Sequence, residues 1–178
     1  MPILEKQRTV SLVKKAAAGD QEAFTALLHL HRQSFYATAM ALTRNEPDAL
    51  DALQSALLSI WEHLPDLREP SFFKTWSTRI LINACKTQVR SRSLALPLEF
   101  LEDNAAPEGD RREEKLDVRM ALQKLPEEDR LILQLFYFED MPVKEIAEVF
   151  SVTPEAARMR LSRARQKFKE IYGRGERR

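Results

Sequence analysis

The stretch from Met141 to Lys169 leaves this chain little choice of local fold. Ile146, Ala147, Val149 and Phe150 recur at helical spacing behind Pro142, so Val143 to Phe150 is expected to be a short helix with one apolar face. Ser151 and Val152 break it. Thr153 can cap a second helix that carries Pro154 at its first position and Glu155 in its first turn. Ala156, Ala157, Leu161, Ala164 and Phe168 form the apolar stripe of that helix, and small residues stand where the two helices must touch. Two helices joined by about three residues in this way describe a helix-turn-helix. The second helix also carries Arg158, Arg160, Arg163, Arg165, Lys167 and Lys169. A helix that enters a major groove needs such charge, because phosphate contacts supply much of the affinity and arginine reads guanine edges bidentately. The alternative is a solvated basic helix that merely closes a bundle.

Net charge is only +1 over 178 residues, so its distribution matters more than its total. Arg158 to Arg178 holds nine basic residues against two acidic ones, a local +7, and Lys74 to Arg92 holds five with no acid. Between them, Glu99 to Asp117 carries eight acids against three bases, a local −5. Two basic blocks separated by an acidic one suggest two nucleic-acid-facing surfaces and a solvated connector. Only four glycines and 31% charged residues favour helices throughout. Cys85 is the single cysteine, which excludes an intrachain disulfide or a cysteine-based zinc site and suits a reducing compartment. There is no N-terminal apolar segment of the signal-peptide kind and no run of about eighteen apolar residues, so a cytoplasmic protein without membrane insertion is expected.

In chain order, Ser11 to Ala18 is a short helical run closed by Gly19, and Asp20 caps a long helix over roughly Gln21 to Leu42. A third helix runs from about Pro47 to His63, with Ala49, Leu50, Leu53, Ala56, Leu57, Ile60 and Trp61 assigned to its buried side, followed by Leu64. Its other face, Asp48, Asp51, Gln54, Ser55 and Ser59, is mildly acidic and suits docking on another protein. After a loop from Pro65 to Ser71, a helix from Phe72 to Arg90 combines Phe72, Phe73 and Trp76 with the cations Lys74, Arg79, Lys86, Arg90 and Arg92. Aromatics at the start of a basic helix beside a loop suit a single-strand binder, and they equally suit a core. Residues 93–110 read as a linker. Helices are expected again over Arg111 to Leu125 and Glu127 to Phe138, the second with Leu131, Ile132, Leu135, Phe136 and Phe138 inward. The expected architecture is all-α: two small helical domains, 1–92 and 111–178, joined by an acidic linker, with the helix-turn-helix in the second.

No catalytic constellation appears. His29 and His31 point about 200° apart on a helix and cannot share a metal, and the default for all three histidines is a surface or partly buried structural role. Glu127, Glu128 and Asp129 follow Pro126, where a helix N-terminus favours negative charge. Catalysis, cofactors and metals are therefore not expected.

Taken together, these stretches resemble a bacterial RNA polymerase sigma factor of the extracytoplasmic-function, group-four type. Gly19-Asp20-Gln21-Glu22-Ala23-Phe24 resembles the start of that family's second region, and Asp48 to Gln54 with Trp61 resembles its polymerase-clamp-binding helix. Phe73-Lys74-Thr75-Trp76 and Arg79 to Asn83 resemble the part that reads the minus-ten promoter element. Leu125-Pro126, Glu145 to Glu148, Arg158, Arg160-Leu161 and Arg163-Ala164-Arg165 resemble the fourth region, which binds the minus-thirty-five element. The resemblance implies core RNA polymerase, promoter DNA as duplex and as melted non-template strand, and an anti-sigma factor as partners. It places polymerase contacts at Asp48, Asp51, Gln54 and Ser55. It places minus-ten contacts at Arg68, Phe72, Phe73, Lys74, Arg79, Asn83, Lys86 and Arg90. It places minus-thirty-five contacts at Thr153, Glu155, Arg158, Arg160, Arg163 and Arg165, with Arg158 and Arg160 reading bases and the later arginines on phosphates. Ser55 stands where the family often carries an acid, and Ser151 where its turn usually carries glycine, so promoter preference does not carry over.

The competing reading is an autonomous helix-turn-helix regulator. It should bind a palindromic duplex unaided, whereas a sigma factor should bind promoters well only with core polymerase. A purely sequestering helical bundle would leave both basic faces idle.

Overall fold

The computed structural model describes residues 2–95, 118 and 120–175, with side chains over 6–92, at 118 and over 120–173. Every element of regular structure among them is helical. The chain divides into two compact units, Met1–Asp103 and Asn104–Arg178. The linker expected over 93–110 and the start of the helix expected at Arg111 lie, apart from 93–95, outside the described residues. No helix among the described residues is long and apolar enough to cross a membrane.

The first unit contains α1 (Pro2–Ala17), α2 (Gln21–Thr43), α3 (Glu46–His63) and α4 (Phe73–Ala95), with single 3-10 turns at Leu64–Asp66 and Pro70–Phe72. Local chemistry sets most boundaries. Gly19 takes φ +94, a left-handed conformation that ends α1, while its N–H bonds the Ala16 carbonyl at 2.9 Å. Asp20 then caps α2 by accepting from the Ala23 N–H at 2.9 Å, and Asn45 caps α3 by accepting from that of Asp48 at 2.9 Å. Arg44 ends α2 at φ 59. Helix α1 begins earlier than the apolar run from Ser11 predicts, and it buries Thr9, Val13 and Ala16 while Lys14 and Lys15 stay outside.

Helix α3 packs along α2 and α4 through Ala49, Ala52, Ala56 and Ile60, all at most 1% exposed. Alanines let the backbones approach closely, and this rotates Leu50 outward to 52% exposure, against the expectation that it is buried. From α2 come Leu27, Phe35, Ala39 and Leu42, and from α4 come Phe73, Leu81, Ile82 and Cys85. His31 is also buried, with its ring 5.4 Å from that of Phe73 and 5.8 Å from that of Phe35.

The second unit contains a helical turn at residues 120–123, then α5 (Glu127–Leu133), a π turn (Gln134–Phe138), α6 (Val143–Val149) and α7 (Pro154–Gly175). Arg130 is buried and donates to the carbonyl of Leu125 at 3.1 Å, tying α5 to the turn before it. In the π turn the Glu139 N–H bonds back to Gln134, five residues away, at 3.2 Å. The extra residue in that turn shifts the helical register, so Phe138 emerges 58% exposed where an unbroken α-helix places it inward. Helices α6 and α7 form the expected helix-turn-helix. Ser151 occupies the turn at φ 53, and Val152 N–H closes on Ala147 at 2.9 Å. Thr153 caps α7 by accepting from the Ala156 N–H at 3.2 Å. Ile146, Ala147, Ala157, Leu161 and Ala164 make the buried seam.

Candidate docking face and nucleic-acid interfaces

Helix α3 turns Leu50, Asp51, Gln54, Ser55 and Leu58 outward, with Leu58 60% exposed. The Asp51 carboxylate accepts from Gln88 Nε2 at 3.2 Å, and the Ser55 hydroxyl donates to the Asp51 carbonyl at 3.1 Å. Asp48 behaves differently. Its carboxylate, 14% exposed, pairs with Arg92 Nη1 at 2.8 Å and accepts from Asn45 Nδ2. It fastens the start of α3 to the end of α4, so Asp48 and Arg92 are already engaged within the unit. What remains outward is two leucines around an acid and an amide, the mixture of apolar anchors and orienting polar groups that protein interfaces use. The sequence pattern singled out the polar members and missed the leucines.

Along α4, the two adjacent phenylalanines have opposite fates. Phe73 is fully buried, between the rings of His31 and Trp76 (centroids 5.4 and 6.2 Å), while Phe72 is 47% exposed. Glu69 shapes the turn before them by accepting from the Ser71 N–H at 3.3 Å and, through its carbonyl, from that of Phe72 at 3.0 Å. Arg68 is exposed beside it. Arg79, Asn83, Lys86 and Arg90 are all exposed, and their spacing of four, three and four puts them on one strip of the helix. Lys74 does not join that strip. It lies about 140° around the helix from Arg79, half-buried, and its charge reaches His31. Burial, assisted by Lys74, lowers the His31 pKa from 6.5 to about 4, so the imidazole is neutral at pH 7. The strip thus offers one exposed aromatic leading onto three cations and an amide with no acid among them.

On α7, the buried seam fixes which residues look out: Glu155, Arg158, Met159, Ser162, Arg163 and Gln166 are on the side away from Ala157, Leu161 and Ala164. Met159 is 56% exposed at the middle of that face. Glu155 pairs with Arg158 at 3.3 Å, and its own backbone N–H together with Arg158 holds the carboxyl below its usual pKa. Three of the cations point elsewhere. Arg160 Nη1 is 3.5 Å from Glu128 and its guanidinium lies 5.9 Å from the Phe150 ring centroid. Lys167 Nζ is 2.5 Å from Asp129. The Arg165 guanidinium lies over Phe136 and Tyr137 at 5.0 and 5.4 Å, an internal cation–π contact. Of the arginines taken from the sequence as DNA-facing, Arg158 and Arg163 stand on the outer face, while Arg160 and Arg165 are turned toward their own unit. Met159, Ser162 and Gln166 were missed. Their signal was present, since each lies opposite the alanine–leucine seam. Among the described residues no cluster of three His, Cys, Asp or Glu could hold a metal ion.

Comparison with known proteins places these faces in context. Residues 27–94 match the family described as sigma-70 region 2, and residues 115–168 match sigma-70, region 4. The chain is 30% identical over 171 residues to the ECF RNA polymerase sigma factor SigM of Mycobacterium tuberculosis, covering 94% of this chain and 86% of that protein. Among solved structures it is similar to CnrH in complex with the cytosolic domain of CnrY, with a TM-score of 0.70 and 26% identity over 92% of this chain and 96% of that one. It also shares the fold of the sigma factor RpoE in complex with the anti-sigma factor NepR from Bartonella quintana, with a TM-score of 0.66 and 24% identity over 83% and 95%.

Proposed function

The chain belongs to the ECF RNA polymerase sigma factors, and on that footing we propose that it docks on core RNA polymerase, selects promoters through two DNA elements and melts the nearer one. The observation that carries this reading is the exposed Phe72 leading onto the acid-free strip of Arg79, Asn83, Lys86 and Arg90. A flipped base needs a flat surface to stack on and its backbone needs cations, and binding of unstacked bases drives melting without ATP. Arg68 flanks the same site. Phe73 supports it from behind by anchoring the start of α4 in the core, and Lys74 lies away from the strip.

Docking on polymerase is assigned to Leu50, Asp51, Gln54, Ser55 and Leu58 of α3, with Asp48 holding that helix in place. Helix α7 reads the upstream element in a major groove, Arg158 and Arg163 making the charged contacts and Met159, Ser162 and Gln166 meeting base edges between them. Thr153 and Glu155 sit at its leading end, where Glu155 can accept from a cytosine amino group. The protein acts as a subunit of the polymerase in the cytoplasm rather than as an enzyme, and takes no cofactor. Solved relatives were captured in complexes with CnrY and with an anti-sigma factor. An anti-sigma partner for this chain would compete for the same exposed leucines of α3.

Run-off transcription from a promoter library tests the proposal. Promoter-specific transcripts should appear only when core polymerase and this protein are both present. If core polymerase gains nothing while the protein alone shifts a palindromic duplex, the autonomous regulator takes its place.

A further inference from the structure

Resting on the reading of α7 as the duplex-reading helix, we propose that Glu128 and Asp129 are specificity-determining residues that never touch DNA: they hold Arg160 and Lys167 away from the phosphates. Both acids stand in the first turn of α5, and each reaches across to one cation of α7. Lys167 Nζ lies 2.5 Å from Asp129, whose carboxylate is 14% exposed, and Arg160 Nη1 lies 3.5 Å from Glu128. Each cation borders the outward face: Arg160 precedes Arg163 by three residues and Lys167 follows it by four, about 60° and 40° of helical rotation away. Long side chains at these angles can swing to a neighbouring phosphate. The acids are what turns them back.

The consequence follows from how DNA binding divides. A cation that reaches a phosphate releases a condensed counterion and adds affinity for every sequence alike. Base-edge contacts add affinity for one sequence only. Pairing two cations internally removes sequence-independent affinity and leaves the base-reading face intact, which raises the ratio of specific to non-specific binding. The Lys167 pair is the stronger device because its acid is largely withdrawn from water. The Arg160 pair is longer, and its acid is two-thirds exposed.

Fluorescence anisotropy of the full chain on a duplex without promoter sequence, over a KCl series, tests this. Asp129→Asn should steepen the slope of log K against log salt by about 0.9, the increment for one added phosphate contact. The non-specific affinity it gains at 50 mM salt should shrink by about threefold on going to 200 mM. Lys167→Gln alone should leave the slope unchanged, and the double variant should return to wild type, because the effect of removing the acid requires the lysine. Glu128→Gln, at an exposed position, should act in the same direction with a smaller rise.

The proposal is overturned if Lys167→Gln alone flattens the slope, since the lysine would then already lie on a phosphate. It is equally overturned if Asp129→Asn leaves the slope unchanged, or steepens it to the same degree in the double variant, which would make the acid a simple repulsive charge. Arg163→Ala separates this from the underlying reading. It should flatten the slope by about one, and if it changes nothing α7 is not the DNA-facing helix and both readings fall.

Discussion

Acidification should loosen the first unit through His31, and the size of the effect can be worked from its surroundings. The imidazole is 8% exposed, stacked on Phe35 and set against Phe73, with Thr9 Oγ1 3.5 Å from Nε2. Its pKa is lowered from 6.5 to about 4 by burial and by Lys74. Between those two values the unfolded chain binds a proton that the folded chain refuses. Stability is therefore full above pH 6.5, declines as pH falls through the unfolded pKa, and stops declining once pH passes the folded pKa. A difference of about 2.5 pKa units corresponds to about 3 kcal/mol in total, of which about 2 kcal/mol is lost by pH 5. That is a large share of the 5–15 kcal/mol typical of a domain. Both tryptophans, Trp61 and Trp76, lie in the first unit, so their fluorescence during urea unfolding reports on it selectively. Carboxylates also titrate in this range, so the decisive quantity is the difference between wild type and His31→Gln. The wild type should lose about 2 kcal/mol more than the variant between pH 7.5 and pH 5. Parallel pH profiles would refute the argument.

Three further outcomes follow from the geometry. Ser151→Gly should stabilise the second unit by about 0.5–1 kcal/mol, raising its thermal midpoint by a few degrees, because a left-handed conformation strains serine and suits glycine. Leu58→Asp should weaken binding to core polymerase at least about tenfold in a competition assay while changing stability by less than about 0.5 kcal/mol, since the side chain is exposed. Phe73→Ala should cost about 3–5 kcal/mol of stability in urea unfolding, whereas its neighbour Phe72→Ala should cost under about 1 kcal/mol.

Where a boundary is set by local chemistry, the sequence was sufficient. Gly19 and Asp20 separate α1 from α2, and Thr153 with Pro154 starts α7, because capping and the left-handed conformation involve only neighbouring residues. Rotation about a helix axis is another matter. Leu50 and Ala52 lie about 200° apart on α3, and packing of that helix against α2 and α4 buries the alanine and leaves the leucine outside. The π turn that exposes Phe138 depends on how α5 runs into Met141 and α6, which no periodicity predicts. The adjacent Phe72 and Phe73 are interchangeable in the sequence pattern, and only packing against His31 separates them. Charge counting likewise does not show which way the cations of α7 point. Arg160, Arg165 and Lys167 belong to a basic helix, yet Glu128, the Phe136–Tyr137 pair and Asp129 claim them.

The most direct test of the central claim is strand capture at Phe72. Core polymerase with this protein would be mixed with a cognate promoter carrying 2-aminopurine in the non-template strand of the nearer element, without ATP. A fluorescence rise is expected as the base unstacks, dependent on both proteins and largely lost with Phe72→Ala. A rise that survives Phe72→Ala undiminished, or that requires ATP, would contradict it.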